Sequence, residues 1–108
     1  MRLLLDESVP QRLTASFPES FEVRTVPQMG WSGTGNGKLL HLAAGSDFDA
    51  MITVDQGIAH EQNLNTLPIP VVIMLATRNR LQELQPLVPQ VITVLSGTLH
   101  KQIYQVSA

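Results

Sequence analysis

Leu3-Leu4-Leu5-Asp6 is a short apolar run closed by an acid, a pattern that predicts a buried strand. Two further apolar runs lie downstream, at residues 50–54, where Asp55 follows, and at Val71–Leu75. None of the three runs alternates with polar residues, so each suits a strand that is covered on both faces of a sheet. We expect the three runs to be neighbouring parallel strands of one sheet.

Helix-like segments separate the predicted strands. In residues 38–44, Leu39, Leu40 and Ala43 fall on one helix face, and Gly45 is the predicted C-cap. The other predicted helices are residues 11–17, a short piece within 56–65, residues 80–84, and residues 89–95 after a break at Pro86 and Pro89. Further strands are predicted at residues 21–26 and, as a weak edge strand, at 102–106. Strands that alternate with helices predict an α/β fold with a central, mainly parallel sheet.

Composition narrows the class of protein. The chain has 108 residues, of which 44% are hydrophobic and 15% charged, so we expect one ordered domain over residues 1–108. It has no cysteine, which excludes a disulfide scaffold, a thiolate metal site and a cysteine nucleophile, and is consistent with a cytoplasmic protein. No apolar run reaches about 18 residues, so no membrane association is expected. The formal charge of −2 argues against a general basic nucleic-acid binder but allows a locally held RNA.

Acids follow two of the predicted strands. If those strands are parallel, Asp6 and Asp55 meet at the carboxyl edge of the sheet, with Glu7 beside Asp6. Carboxylates gathered there suit Mg²⁺ or Mn²⁺, which prefer oxygen ligands. The alternative is that both aspartates are helix caps or loop acids. Asp47 and Asp49 precede a strand, at the opposite edge, and are interpreted as loop acids.

Several short motifs occur in an order that covers nearly the whole chain. They are Leu4-Leu5-Asp6-Glu7-Ser8-Val9-Pro10, Val23-Arg24-Thr25-Val26-Pro27, Met29-Gly30-Trp31, Asn36-Gly37-Lys38-Leu39-Leu40, Phe48-Asp49, Ile52-Thr53-Val54-Asp55, Gln62-Asn63-Leu64 and Leu84-Gln85-Pro86-Leu87-Val88-Pro89. In this ordered set the chain resembles the small PIN-like proteins that are catalogued as a domain of unknown function and are related to VapC-type toxins.

The resemblance implies a PIN-like three-layer α/β/α sandwich and a Mg- or Mn-dependent ribonuclease, often the toxin of a toxin–antitoxin pair. It implies that Asp6 is the first metal-binding acid, Asp55 the later one and Glu7 an adjacent catalytic helper. A small antitoxin-like protein would then be a partner. A chain this short also suggests a homodimer or partner complex, which would cover apolar surface near the last helix or strand.

Lys38 departs from the family pattern, in which an acid usually follows Asn36-Gly37. A lysine there would lie near Asp6 and Asp55 and could neutralise them in place of a metal. This departure supports an alternative function, a catalytically degenerate PIN-like scaffold that acts as a protein-interaction module.

Two arginines complete the candidate site. Arg78 and Arg80 follow the run at Val71–Leu75 and are expected at the same edge as the acids, where they would contact an RNA backbone. The glycines of residues 30–37 match no nucleotide-binding pattern and predict a loop with positive φ angles. Trp31 in this loop is expected to cap the core.

Overall fold

The computed structural model describes residues 1–108 and contains five strands and four α-helices. The strands are β1 (Arg2–Leu5), β2 (Glu22–Thr25), β3 (Ala50–Thr53), β4 (Val71–Leu75) and β5 (Ile103–Ser107). The α-helices are α1 (Asn36–Gly45), α2 (Ile58–Glu61), α3 (Leu81–Leu84) and α4 (Val88–Ser96), and 3₁₀ helices occur at Gln11–Ser16 and Gln85–Leu87. No helix has both the length and the apolar character that crossing a membrane requires.

All five strands form one parallel sheet in the order β2-β1-β3-β4-β5. Leu5 pairs with Thr25 of β2 and with Ile52 of β3, so β1 lies inside the sheet. The predicted neighbours β1, β3 and β4 are adjacent and parallel, which confirms the α/β prediction. Parallel order also brings the carboxyl ends of these strands to one edge, where ligands gather in open α/β sheets.

Helices cover both faces of the sheet, which explains the absence of alternation in the strands. Successive strand residues point to opposite faces, so Leu3 and Leu5 pack against α3, α4 and the 3₁₀ helix at Gln11–Ser16. Leu4 faces the other way and packs in the core formed with α1 and α2. The result is a three-layer α/β/α sandwich, as expected.

One local prediction, the C-cap of α1, is wrong. Gly45 is the last helical residue of α1 and not its cap, and the left-handed residue beyond the helix is Asp47, with φ 64°. Aspartate tolerates this conformation better than most side chains, since it can hydrogen-bond its own backbone. The predicted break at Pro86 and Pro89 is confirmed: α3 ends at Leu84, a 3₁₀ helix spans Gln85–Leu87, and α4 begins at Val88. Pro89 lies in the first turn of α4, where a missing N–H removes no helical hydrogen bond.

The element bounds differ slightly elsewhere. The predicted helix at residues 11–17 is a 3₁₀ helix over Gln11–Ser16, and β3 ends at Thr53 rather than at residue 54. The predicted last strand, β5, lies at an edge of the sheet as expected.

The glycine-containing loop after β2 agrees with its prediction. Gly30 and Gly33 have φ angles of 74° and 81°, which only glycine adopts without strain. Trp31 is half-buried and packs edge-on against the ring of Phe48 at 6.0 Å, so it caps the core on the α1 side. Asp49 accepts a hydrogen bond from the Arg2 backbone N–H at the amino edge, which agrees with its role as a loop acid.

Candidate functional site

The candidate site lies where β1 and β3 end. The Asp6 backbone N–H donates to the carbonyl oxygen of Ile52, which continues the pairing of the two strands by one residue. Asp6 follows Leu4 by two residues and Thr53 follows Met51 by two, so both side chains point to the face that α1 and α2 cover. The sheet therefore places Asp6 and Thr53 side by side at its carboxyl edge.

Asp6 is a buried carboxylate, 5% exposed, that is held by neutral donors. Its Oδ1 accepts hydrogen bonds from the backbone N–H and the hydroxyl of Ser8, at 2.9 and 2.5 Å. Its Oδ2 accepts from the Thr53 hydroxyl at 2.5 Å. These three bonds fix the orientation of the carboxylate, and none of them supplies a positive charge.

Thr53 links the two aspartates. Its Oγ1 donates to Asp6 and accepts a hydrogen bond from the backbone N–H of Asp55 at 3.0 Å. Thr53 is fully buried, so its hydroxyl has no contact with bulk solvent. The side chain of Asp6 is therefore connected through Thr53 to the backbone of Asp55, which follows the adjacent parallel strand.

Asp55 is half-buried and is held by two further donors. Its Oδ1 accepts from the Gly57 backbone N–H at 2.9 Å, which closes the turn into α2. Its Oδ2 accepts from the side-chain amide of Asn36 at 3.3 Å, which ties the start of α1 to the end of β3. Asp55 therefore acts as a loop acid that closes a turn, as one interpretation of the sequence predicted. It also lies at the carboxyl edge of the sheet, as the other interpretation predicted.

The pKa of Asp6 is raised above its ordinary value of 3.8. Burial is the main cause, because it removes water from the charged form. The hydrogen bonds from Ser8 and Thr53 oppose this effect, and the negative charge of Asp55 adds to it. The neighbourhood of Asp6 therefore favours a bound proton or a nearby cation.

The structure does not bring every predicted site residue to the acids. Lys38, the third residue of α1, is exposed and forms no ion pair; both ion pairs of the chain involve Glu22 with Arg2 or Arg24. The expected contact between Lys38 and the two aspartates is therefore wrong, because its side chain extends into solvent from the first turn.

Glu7, Arg78 and Arg80 lie at the edge but outside the hydrogen-bond network of the two aspartates. Glu7 is exposed, and its Oε1 accepts a hydrogen bond from the Gly33 backbone N–H at 2.8 Å, so it anchors the glycine-containing loop. Arg78 and Arg80 are exposed in the connection between β4 and α3, at the carboxyl edge of the sheet.

Three participants were not among the predicted site residues: Ser8, Thr53 and Asn36. Thr53 could have been predicted from the sequence. If β1 and β3 are assumed to pair, strand alternation puts Thr53 on the same face of the sheet as Asp6. Ser8 stands two residues after Asp6, the spacing of a turn in which aspartate accepts from the backbone. Asn36 carried no comparable signal, because its contact depends on where α1 begins.

No protein-family model, curated protein or solved structure matches the chain. The chemistry of the site therefore rests on its own geometry. No group of three His, Cys, Asp or Glu side chains is arranged to hold a metal ion, and no surface pocket is found. The network presents two carboxylates, two hydroxyls and one amide, whose oxygen atoms are suited to binding a hard cation or water.

The raised pKa of Asp6 predicts how stability depends on pH. The folded chain binds a proton at Asp6 more readily than the unfolded chain, so this residue's contribution to stability falls as pH rises from 3.8 through the folded pKa. Asp6→Asn removes that dependence, so the free energy of unfolding of the variant should rise relative to that of the parent as pH increases from acid to neutral. Urea unfolding of both proteins at several pH values measures the difference.

Asp47→Asn is the matched control for this prediction, because Asp47 is exposed and asparagine also tolerates its left-handed backbone. The hydrogen bond from Arg2 lowers the pKa of Glu22, an effect of opposite sign, but Glu22 is present in every variant and cancels in the difference. A stability difference for Asp6→Asn that stays constant from acid to neutral pH would contradict the prediction.

Proposed function

We propose that this chain is a PIN-like ribonuclease that cleaves RNA with Mg²⁺ or Mn²⁺ held by Asp6 and Asp55. One observation supports the proposal most: Asp6 is buried, accepts only neutral donors and lies in one hydrogen-bond network with a second aspartate. A buried carboxylate such as that of Asp6 is stabilised by a positive partner, and no side chain of the protein forms an ion pair with it.

The two aspartates can supply only part of the coordination shell of a hard divalent ion. Asp6 Oδ1 already accepts two hydrogen bonds, whereas Asp6 Oδ2 and both oxygens of Asp55 accept one each. Each carboxylate therefore keeps a lone pair for a metal. Mg²⁺ commonly uses one or two protein carboxylates and retains several waters, so the fit predicts weak binding that depends on water and substrate oxygens.

A divalent ion at this edge would neutralise phosphate charge and lower the pKa of a bound water. The chain's own contribution is to orient the two carboxylates: Ser8 and Thr53 fix Asp6, and Asn36 and Gly57 fix Asp55. Arg78 and Arg80 are suited to bind backbone phosphates of the RNA, since guanidinium groups are planar and always charged.

A second candidate function is the catalytically degenerate scaffold that binds a protein partner. The same three hydrogen bonds that orient Asp6 also satisfy it without a metal, which favours a structural role for the network. Lys38 also supports this candidate, because the family pattern has an acid at this position and the chain lacks that carboxylate. Lys38 itself forms no salt bridge with the aspartates.

The ribonuclease proposal includes two kinds of partner in the cytoplasm, a small antitoxin-like protein and a second copy of the chain. The open edge at β5 supports association, because Ile103–Ser107 contains no charged residue, whereas the other edge strand, β2, carries Glu22 and Arg24. Light scattering that reports only monomers at all accessible concentrations would contradict the dimer.

Manganese titration by calorimetry, run beside an RNA cleavage assay, tests the proposed activity. The parent protein should bind manganese weakly and cleave RNA only with Mg²⁺ or Mn²⁺, and Asp6→Asn should abolish both. Lys38→Glu should strengthen manganese binding, because it removes a positive charge and adds an acid at the start of α1. Asp47→Asn, which changes an acid at the opposite edge, should leave both measurements unchanged.

The urea unfolding of Asp6→Asn described above is the control for this experiment. If the variant is folded under the assay conditions, its loss of cleavage has a chemical cause and is not due to unfolding. If the parent protein neither binds manganese nor cleaves RNA, the ribonuclease proposal is wrong and the scaffold function is favoured. If Asp6→Asn cleaves RNA as well as the parent does, the site lies elsewhere.

A further inference from the structure

Asn36 is the only asparagine of the chain that precedes a glycine. The other three asparagines, Asn63, Asn65 and Asn79, precede Leu64, Thr66 and Arg80. Asparagine loses its amide when the backbone nitrogen of the next residue attacks the side-chain carbonyl carbon. Glycine at the next position hinders this attack least, because it has no Cβ and moves freely in φ and ψ.

The start of α1 leaves the attacking nitrogen available. The first hydrogen bond of the helix runs from the Leu39 N–H to the Gly35 carbonyl, and the Gly37 N–H donates to no acceptor. Asn36 and Gly37 are half-buried, and Gly35 before them is exposed. The backbone therefore needs only a local opening at the end of a helix, and no disruption of the core, to bring nitrogen and carbon together.

The reaction balances with water as the only co-reactant. The Gly37 nitrogen bonds to Asn36 Cγ and the side-chain nitrogen leaves as ammonia, which forms a five-membered succinimide. Water then opens the ring. Cleavage of the new bond between Cγ and nitrogen gives aspartate, with a side-chain carboxylate in place of the amide. Cleavage at the main-chain carbonyl gives isoaspartate, in which the main chain runs through Cγ and the free carboxylate is attached to Cα.

The change would fall on a hydrogen bond of the candidate site. Asn36 Nδ2 donates to Asp55 Oδ2 at 3.3 Å, and a carboxylate at position 36 has no proton to donate there. Two acceptors would then face each other, and Asp6, Asp55 and residue 36 would form a set of three carboxylates. Three neighbouring carboxylates repel one another, and a divalent cation that they coordinate together would remove this repulsion.

We propose that Asn36 is a site of spontaneous deamidation, and that its conversion to an acid strengthens divalent cation binding beside Asp55. The loss of the amide does not depend on the proposed ribonuclease activity. The cation effect concerns the same edge of the sheet but is measured as binding and not as RNA cleavage.

Peptide mapping by mass spectrometry tests the modification on the intact chain, incubated folded in a warm, mildly alkaline buffer. The peptide that contains Asn36 should gain the mass of an amide-to-acid conversion while Asn63, Asn65 and Asn79 keep their amides. In Gly37→Ala the loss at Asn36 should fall to the level of those three. This variant should fold, because the new Cβ would meet only the flexible Gln62 side chain, 3.4 Å away. The proposal is overturned if Asn36 keeps its amide as long as the other three, or loses it equally fast in Gly37→Ala.

Manganese titration of Asn36→Asp tests the consequence, with Asn63→Asp as the control that adds the same charge in an exposed loop. The Asn36→Asp protein should bind manganese more tightly than the parent, and Asn63→Asp should bind like the parent. Equal affinity in Asn36→Asp and the parent would refute the cation effect. A parent protein that never cleaves RNA, but whose Asn36→Asp variant gains manganese affinity, would refute the proposed function alone.

Discussion

Leu5→Ala is expected to lower the free energy of unfolding by about 3 kcal/mol. Leu5 is fully buried in β1, inside the sheet, and packs in the core on the α4 side. The substitution removes apolar contacts and leaves a cavity that strands on both sides prevent from collapsing. Domains have a total stability of about 5–15 kcal/mol, so this one change removes a large part of it.

Leu64→Ala is the matched control, because the same atoms are removed from a side chain that is 50% exposed. Its effect should stay within about 0.5 kcal/mol. Urea unfolding followed by circular dichroism measures both variants. Equal losses of stability in the two variants would contradict the position of Leu5 in the core.

Thr53→Val is expected to cost about 2 kcal/mol, the second largest effect. Valine keeps the shape of threonine but removes the donor to Asp6 Oδ2 and the acceptor for the Asp55 N–H. A buried carboxylate that loses a donor is left partly unsatisfied, and the pKa of Asp6 should rise further because that hydrogen bond now lowers it. The cost of Thr53→Val should therefore be smaller in acid, where Asp6 is protonated.

Thr25→Val provides a close comparison. Thr25 is also a buried threonine at the carboxyl end of its strand, but its hydroxyl accepts only from the Gln28 backbone N–H, at 3.3 Å. Thr25→Val should lower the free energy of unfolding by less than about 1 kcal/mol, because Gln28 is exposed and its backbone N–H can hydrogen-bond to water instead. If the two threonine variants are equally destabilised at neutral pH, the bond to Asp6 contributes nothing beyond that of an ordinary buried hydroxyl.

The sheet could be predicted from the sequence because its signal is local. The runs at β1, β3 and β4 are mostly apolar and show no alternation with polar residues, which is typical of strands covered on both faces. The helical segments between them are long enough for parallel crossovers. The helix ends were harder to predict. Whether Gly45 ends α1 depends on the turn that leads into β3, and that turn uses Asp47 instead.

The candidate site was predicted in part for a similar reason. Asp6 follows β1 directly and Asp55 lies two residues after the end of β3, so strand order brings both to one edge. The contact of Asn36 with Asp55 depends on the path of the loop before α1, which no periodicity describes. Lys38 was placed near the acids by its position in the chain, but the direction of a long side chain at an exposed helix start is set by solvent.

The order of the strands also determines when the protein can fold during synthesis. Of the five strands, β1 is synthesised before the others, yet it lies inside the sheet. Leu3 therefore gains its second neighbour only after Ala50 has been synthesised. β4 likewise gains one of its two neighbours only after β5 has been synthesised, since Val71 pairs with Ile103. Contacts between distant residues form slowly, and until they form the leucines of β1 are uncovered. Aggregation therefore competes with folding mainly while the chain is being synthesised, and a chaperone would be of most use at that stage.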